Sequence, residues 1–243
     1  MDEYRDSLKE VDPVARAQFE HGDWTAHAGG RFKREWLRWW KAYGPTGYVL
    51  GDRIITPDQV KLRFLTIDPA ASISDAADYT VISAWALLRS GDLLCLDCLR
   101  GRWEVPDIPA QIVRLLKEYR RTEAAIEGGG TRKGIVQLCQ RHPRLGPAVV
   151  REVRPKGKDK LVRATPARNL AASGKLWLPA SNPYWLDEVL GELLRFTGDP
   201  DQDAHDDVVD SPAYAALLAS GISDGQAYAF APYVSETNPG RFR

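Results

Sequence analysis

The sequence predicts an α/β fold built on a mixed sheet, and two observations carry that reading. Three strand-type apolar runs follow one another between residues 61 and 100 with only a loop or a tight turn between them. Behind them, segments of helical and strand periodicity alternate, giving the order βββαβαβ and then further helices. A stretch of different texture precedes this core. Three regions are therefore expected: residues 1–60 as an N-terminal linker extension, 61–220 as the α/β domain, and 221–243 as an irregular tail.

In the extension, Pro13 to His21 has helical spacing that Gly22-Asp23-Trp24 breaks. Phe32, Trp36, Trp39 and Trp40 also follow helical spacing, which predicts a short amphipathic helix packed onto the following domain or offered to a partner. Lys61 to Asp68 reads as the first strand, Tyr79 to Arg89 as the second and Leu93 to Arg100 as the third, the last two joined by Ser90-Gly91-Asp92. A helix is expected from Pro106 to Tyr119, ending in Arg120-Arg121, where positive charge favours a C-terminus. Thr122 to Glu127 is the fourth strand, Thr131 to Gln140 a helix, and Ala148 to Val153 the fifth strand. Leu161 to Ala172 reads as helical despite Pro166, Lys175 to Pro179 as extended, and Tyr184 to Phe196 and Val208 to Ser220 as the last two helices. The order resembles the ribonuclease-H-like fold, a mixed sheet flanked by helices whose first and fourth strands carry acids into one metal site.

Three acidic positions match that placement. Asp68 closes the apolar run Phe64 to Ile67 at Pro69, where proline cannot continue the ladder, so it is delivered to the end of a sheet. Glu127 ends the fourth strand before Gly128-Gly129-Gly130. Asp206, Asp207 and Asp210 open the final helix, where acids are also favoured by the dipole and Asp206 has the chemistry of an N-cap. Separated carboxylates converging at one sheet edge form an oxygen-rich site for two hard divalent cations, Mg²⁺ or Mn²⁺, which together activate water and stabilise a leaving oxygen in phosphodiester cleavage. Asp78, in the loop beside Asp68, and His205 are accessory candidates; for His205 an outer ligand, a general acid and a plain loop residue all stand open.

Formal net charge is zero, so nucleic-acid binding has to come from local segregation of charge. Such segregation is present: Arg151, Arg154, Lys156, Lys158, Lys160, Arg163 and Arg168 face only Glu152 and Asp159 between residues 151 and 168. Lys156, Lys158, Lys160 and Arg163 are read as DNA contacts along the phosphate backbone, with Arg132 and Lys133 of the glycine loop. The sequence holds no Gly-x-x-x-x-Gly-Lys-Ser/Thr loop, which argues against nucleotide hydrolysis. No apolar run reaches the ~18 residues of a membrane helix, and residues 1–10 lack a signal-peptide core. Cys95, Cys98 and Cys139 cannot all pair, so a reducing cytoplasm is expected. Cys95 and Cys98, three apart on a strand, should point to opposite faces and read as core packing rather than a metal pair.

At these residues the chain resembles the C-terminal nuclease domain of a tailed-bacteriophage terminase large subunit. The resemblance is carried by Gly22-Asp23-Trp24 with Phe32 to Trp40, by Asp68-Pro69-Ala70 with Asp78 to Val81, by Ile126-Glu127, and by His205-Asp-Asp-Val-Val-Asp210-Ser211. It implies Asp68, Glu127 and Asp207 as catalytic metal ligands, with Asp206 and Asp210 as further ligand candidates. It also implies double-stranded DNA as substrate, an ATPase motor domain or subunit, a portal and a small terminase subunit as partners, and the host cytoplasm as location. A cellular nuclease or junction resolvase of the same fold, and a non-catalytic DNA-binding or assembly module, are the competing expectations.

Overall fold

Strand β4 (Val60–Asp68) is buried on both faces from Leu62 onward, the pattern of a central strand covered from two sides. It pairs antiparallel with β5 (Thr80–Leu88), and β5 pairs antiparallel with β6 (Leu93–Gly101), so the expected meander is present. Helix α1 (Ile108–Glu118) returns the chain to β7 (Glu123–Glu127), which runs parallel to β4. Helix α2 (Lys133–Arg141) leads to β8 (Val150–Val153), parallel to β7. This is the βββαβαβ core. The computed structural model describes residues 31–70, 79–119, 123–147, 149–153, 160–199, 203 and 207–220, and the expected helix at 13–21 and the tail at 221–243 lie outside them.

Beyond the core come α3 (Lys160–Ala172), β9 (Leu176–Pro179), α4 (Leu186–Arg195) and α5 (Asp207–Ala219). Ahead of the core lie β1 (Arg38–Tyr43), β2 (Gly47–Leu50) and β3 (Arg53–Ile55), and among the described residues the sheet has nine strands in the order β3-β2-β1-β9-β6-β5-β4-β7-β8. Its two faces carry separate apolar layers. Phe64, Trp85, Leu176 and Ala125 pack with Ala164 and Ala167 of α3, Leu193 of α4 and Ala215 of α5. Leu65, Ile67, Ile82 and Ile126 pack with Ile112 of α1 and Ile135 of α2. Alternation along β4 thus assigns each residue to one helical layer.

Two local expectations are corrected. Phe32 to Trp40 is not a helix: a single 3₁₀ turn at Arg34–Trp36 is followed by β1 (Arg38–Tyr43), hairpinned with β2 (Gly47–Leu50) and β3 (Arg53–Ile55) and parallel to β9. Aromatic residues suit a pleated, half-buried surface, and pairing on both sides decides the outcome: Trp40 packs edge-on against Tyr48 and donates its Nε1 proton to the Cys95 carbonyl at 2.8 Å. Secondly, Cys95 and Cys98 share one face. The ladder slips between Ala84 and Trp85, so Cys95 faces Trp85 while Cys98 faces Ser83, and both thiols enter the same apolar layer. Both are free and buried, and burial pushes the Cys98 thiol up to about 12.

Candidate active site

Asp68 is the last residue of β4 and shares its face with Thr66 and Phe64, opposite to Leu65 and Ile67; this is the face that α5 covers. In the parallel β4–β7 pairing Ile67 stands opposite Ile126, so one step outward the ends of the two strands bring Asp68 and Glu127 side by side. Their carboxyls are within hydrogen-bonding reach. The Asp-Pro turn is fixed behind Asp68, where the Ala70 amide donates to Thr80 Oγ1 at 2.9 Å. Asp210 comes from the second turn of α5, and its 6% exposure matches the 8% of Asp68 and Glu127.

Burying three acids together is unfavourable unless charge is compensated. The compensation comes from the nearby basic side chains. Arg132 places Nη1 2.6 Å from Glu127 Oε2 and Nη2 3.3 Å from Asp68 Oδ1. Lys160 Nζ lies 3.0 Å from Asp210 Oδ2, and Arg163 Nη2 lies 3.1 Å from Asp210 Oδ1. Burial nonetheless pushes the Asp68 carboxyl well above the usual carboxylate range, helped by the Glu127 charge and opposed by Arg132. Burial likewise raises Asp210, against the pull of Lys160 and Arg163. Burial alone would make the Arg132 guanidinium easier to deprotonate, but Asp68 and Glu127 more than reverse this.

The donor set fits a hard divalent cation. Asp68 Oδ1 and Asp210 Oδ1 are buried and receive no hydrogen bond of proper geometry among the described residues, although a guanidinium stands near each. Such anionic oxygens with unused lone pairs are what magnesium-class ions take. Among the described residues, no three His, Cys, Asp or Glu side chains already surround a single point. Arg132, Lys160 and Arg163 stand against the carboxylates instead, so loading the site means exchanging protein cations for metal.

Several expected residues are placed by this geometry. Arg132, Lys160 and Arg163, anticipated along a DNA track, meet the acids, while Lys133 is exposed at the start of α2. Asp207 opens α5. Asp78, Lys156, Lys158, His205 and Asp206 lie outside the described residues. The first glycine after Glu127 serves a neighbour: a Cβ on Gly128 would lie 2.2 Å from the Glu152 side chain. Gly129 and Gly130 take φ of +106° and +52°, which only glycine adopts readily, and turn the chain into the Arg132 segment. Tyr214 went unnoticed in the sequence. It lies one turn beyond Asp210, and its buried hydroxyl has no hydrogen-bond partner among the described residues. Its i+4 spacing from Asp210 was the available signal.

Fold and site together define an α/β domain with a buried carboxylate centre at the ends of adjacent central strands. Residues 65–218 match the family described as the terminase RNaseH-like domain, and the chain belongs to that family. Among solved structures it is similar to the large terminase nuclease of thermophilic phage G20c with bound magnesium, at 19% identity and a TM-score of 0.55, over 78% of this chain and 97% of that one. The same nuclease with bound cobalt aligns at 20% identity and a TM-score of 0.52 over the same shares. With bound zinc it aligns at 21% identity and 0.50, over 74% and 91%. At these identities the likeness establishes the fold. No curated protein matches the chain.

Proposed function

We propose that this chain is the nuclease domain of a phage terminase large subunit and cuts double-stranded DNA during genome packaging by metal-dependent phosphodiester hydrolysis. The observation that carries the reading is the pairing of Asp68 with Glu127 on adjacent strand ends, with Asp210 brought against them from α5. Two ions of the Mg²⁺ or Mn²⁺ class bound there would supply an activated water and neutralise charge on the leaving oxygen. Asp68 and Glu127 would hold them, with Asp207 or Asp210, and Asp206 as a further candidate, completing the set. Arg132, Lys160 and Arg163, displaced from the carboxylates on loading, are within reach of a phosphodiester backbone approaching the same edge. Lys133, Lys156 and Lys158 extend that contact. The ATPase motor, portal and small terminase subunit are the proposed partners, in the host cytoplasm.

Plasmid nicking with Mg²⁺, Mn²⁺ and EDTA tests the reading, with Asp68→Asn as the control. Cutting should need the metal and should fall by more than about 100-fold in Asp68→Asn, beyond the 10–100-fold typical of groups that only support a ligand. Metal-independent DNA binding without cleavage by the wild-type chain would identify a binding module instead.

A further inference from the structure

We infer that Thr66 and Ser211 are positioning residues: their hydroxyl pair sets the gap between Asp68 and Asp210 and thereby the affinity of the site for divalent metal. The inference rests on the carboxylates being metal ligands. Trp85 Nε1 donates to Thr66 Oγ1 at 2.9 Å, and Thr66 Oγ1 lies 2.9 Å from Ser211 Oγ, in a fully buried chain that crosses from β5 through β4 to α5. Thr66 is two residues before Asp68 on the same face of β4, and Ser211 directly follows Asp210. The bond therefore spans the same two elements as the carboxylates, one short step deeper into the sheet.

Lys160 and Arg163 hold Asp210 from the α3 side, but on the sheet side this part of α5 has two local weaknesses. Pro212 lies inside the helix and has no N–H, so the turn carrying Asp207 to Asp210 lacks one of its ladder bonds. Packing beneath it is also incomplete. Ser211 and Pro212 border a cavity of about 10 Å³ shared with Trp85, Cys95, Cys98 and Leu193. Dispersion contacts fall away across such a gap, so side-chain packing restrains the helix less on that side. A hydrogen bond of fixed length adds a restraint there, and Trp85 fixes its inner end because an indole N–H can only donate.

The test is Mn²⁺ titration of the full chain by calorimetry without DNA, below the melting temperature of every variant, alongside melting curves in EDTA. Thr66→Val and Ser211→Ala should each weaken Mn²⁺ binding about 10–100-fold, the range for partners that orient metal ligands. The double variant should be no worse than the weaker single one, and Thr66→Ser, which keeps the hydroxyl, should bind nearly as wild type. A residue that only stabilised the fold would lower the melting temperature and leave metal affinity unchanged. If Thr66→Val does not fold, Ser211→Ala against Thr66→Ser decides. Wild-type binding with unchanged affinity in the hydroxyl-deleted variants overturns the positioning role alone. Absence of Mn²⁺ binding by the wild type overturns the carboxylate reading and this inference with it.

Discussion

Arg132 Nη1 stands 2.6 Å from Glu127 Oε2, and the same guanidinium reaches Asp68, so a single cation holds two acidic strand ends together. A divalent ion at the same carboxylates has to displace it.

Arg132→Gln is therefore expected to bind Mn²⁺ more tightly than wild type while being less stable without metal. The side chain is 27% exposed, so with solvent screening the loss of stability in EDTA should be about 1 kcal/mol. Calorimetry and urea melts in EDTA check both signs. Weaker Mn²⁺ binding in this variant would mean that the arginine supports the loaded site instead of competing for it.

Stability without metal should fall as pH rises. Burial raises Asp68 and Asp210 above the ordinary 3.8, so between 3.8 and their raised values the folded state binds more protons than the unfolded one. The stabilising contribution is complete below 3.8 and is lost as pH climbs through the folded values. Metal binding should reverse the dependence, because the proposed ligands are deprotonated carboxylates, and protons should be released on loading. Urea melts in EDTA and in Mn²⁺ across this range report both trends, and an EDTA series independent of pH would contradict the assignment.

The last acidic cluster can be resolved by single Asn substitutions at Asp206, Asp207 and Asp210. The resemblance read from the sequence implies Asp207 as the ligand, whereas the contacts of Asp210 with Lys160 and Arg163 place that carboxylate in the charged centre. One severe loss of cleavage and two milder ones are expected, with Asp210→Asn also shifting stability because two cations lose their partner. Equal and slight effects at all three would reduce the cluster to helix capping.

Charge reversal at Lys156 and Lys158 should weaken DNA binding on every sequence and lower the salt slope by about 0.9 for each lost phosphate contact on duplex DNA. Reversal at Lys160 should behave differently. Its ammonium lies 3.0 Å from Asp210, so Lys160→Glu should also disturb metal binding measured without DNA.

The order of elements was legible because each was marked locally: apolar runs in the central strands, Pro106 at the entry to α1, an acid where β4 stops. What stayed hidden depended on partners distant in sequence. Trp39 and Trp40 fit helical spacing well, and only β9 on one side and β2 on the other make them strand residues. The shared face of Cys95 and Cys98 comes from a slip against β5 that no pattern within β6 announces. The placement of Asp68 and Glu127 at strand ends was legible because strand ends are predictable. Lys160 and Arg163 read as part of a basic run facing DNA, since nothing local indicates that α3 lies against α5 and lends its charges to Asp210.

The bond between Thr66 and Ser211 joins residues 145 positions apart, which bears on how the domain is made as well as how it works. Contacts so distant form late, after the loop between them has closed. At about 5–20 residues per second of synthesis, the strand bearing Asp68 leaves the ribosome several seconds before the helix bearing Asp210. Over the later part of that interval the nascent chain has Asp68 and Glu127 but not the Asp210 carboxylate to set against them. The acidic centre is complete only when nearly the whole described chain has folded.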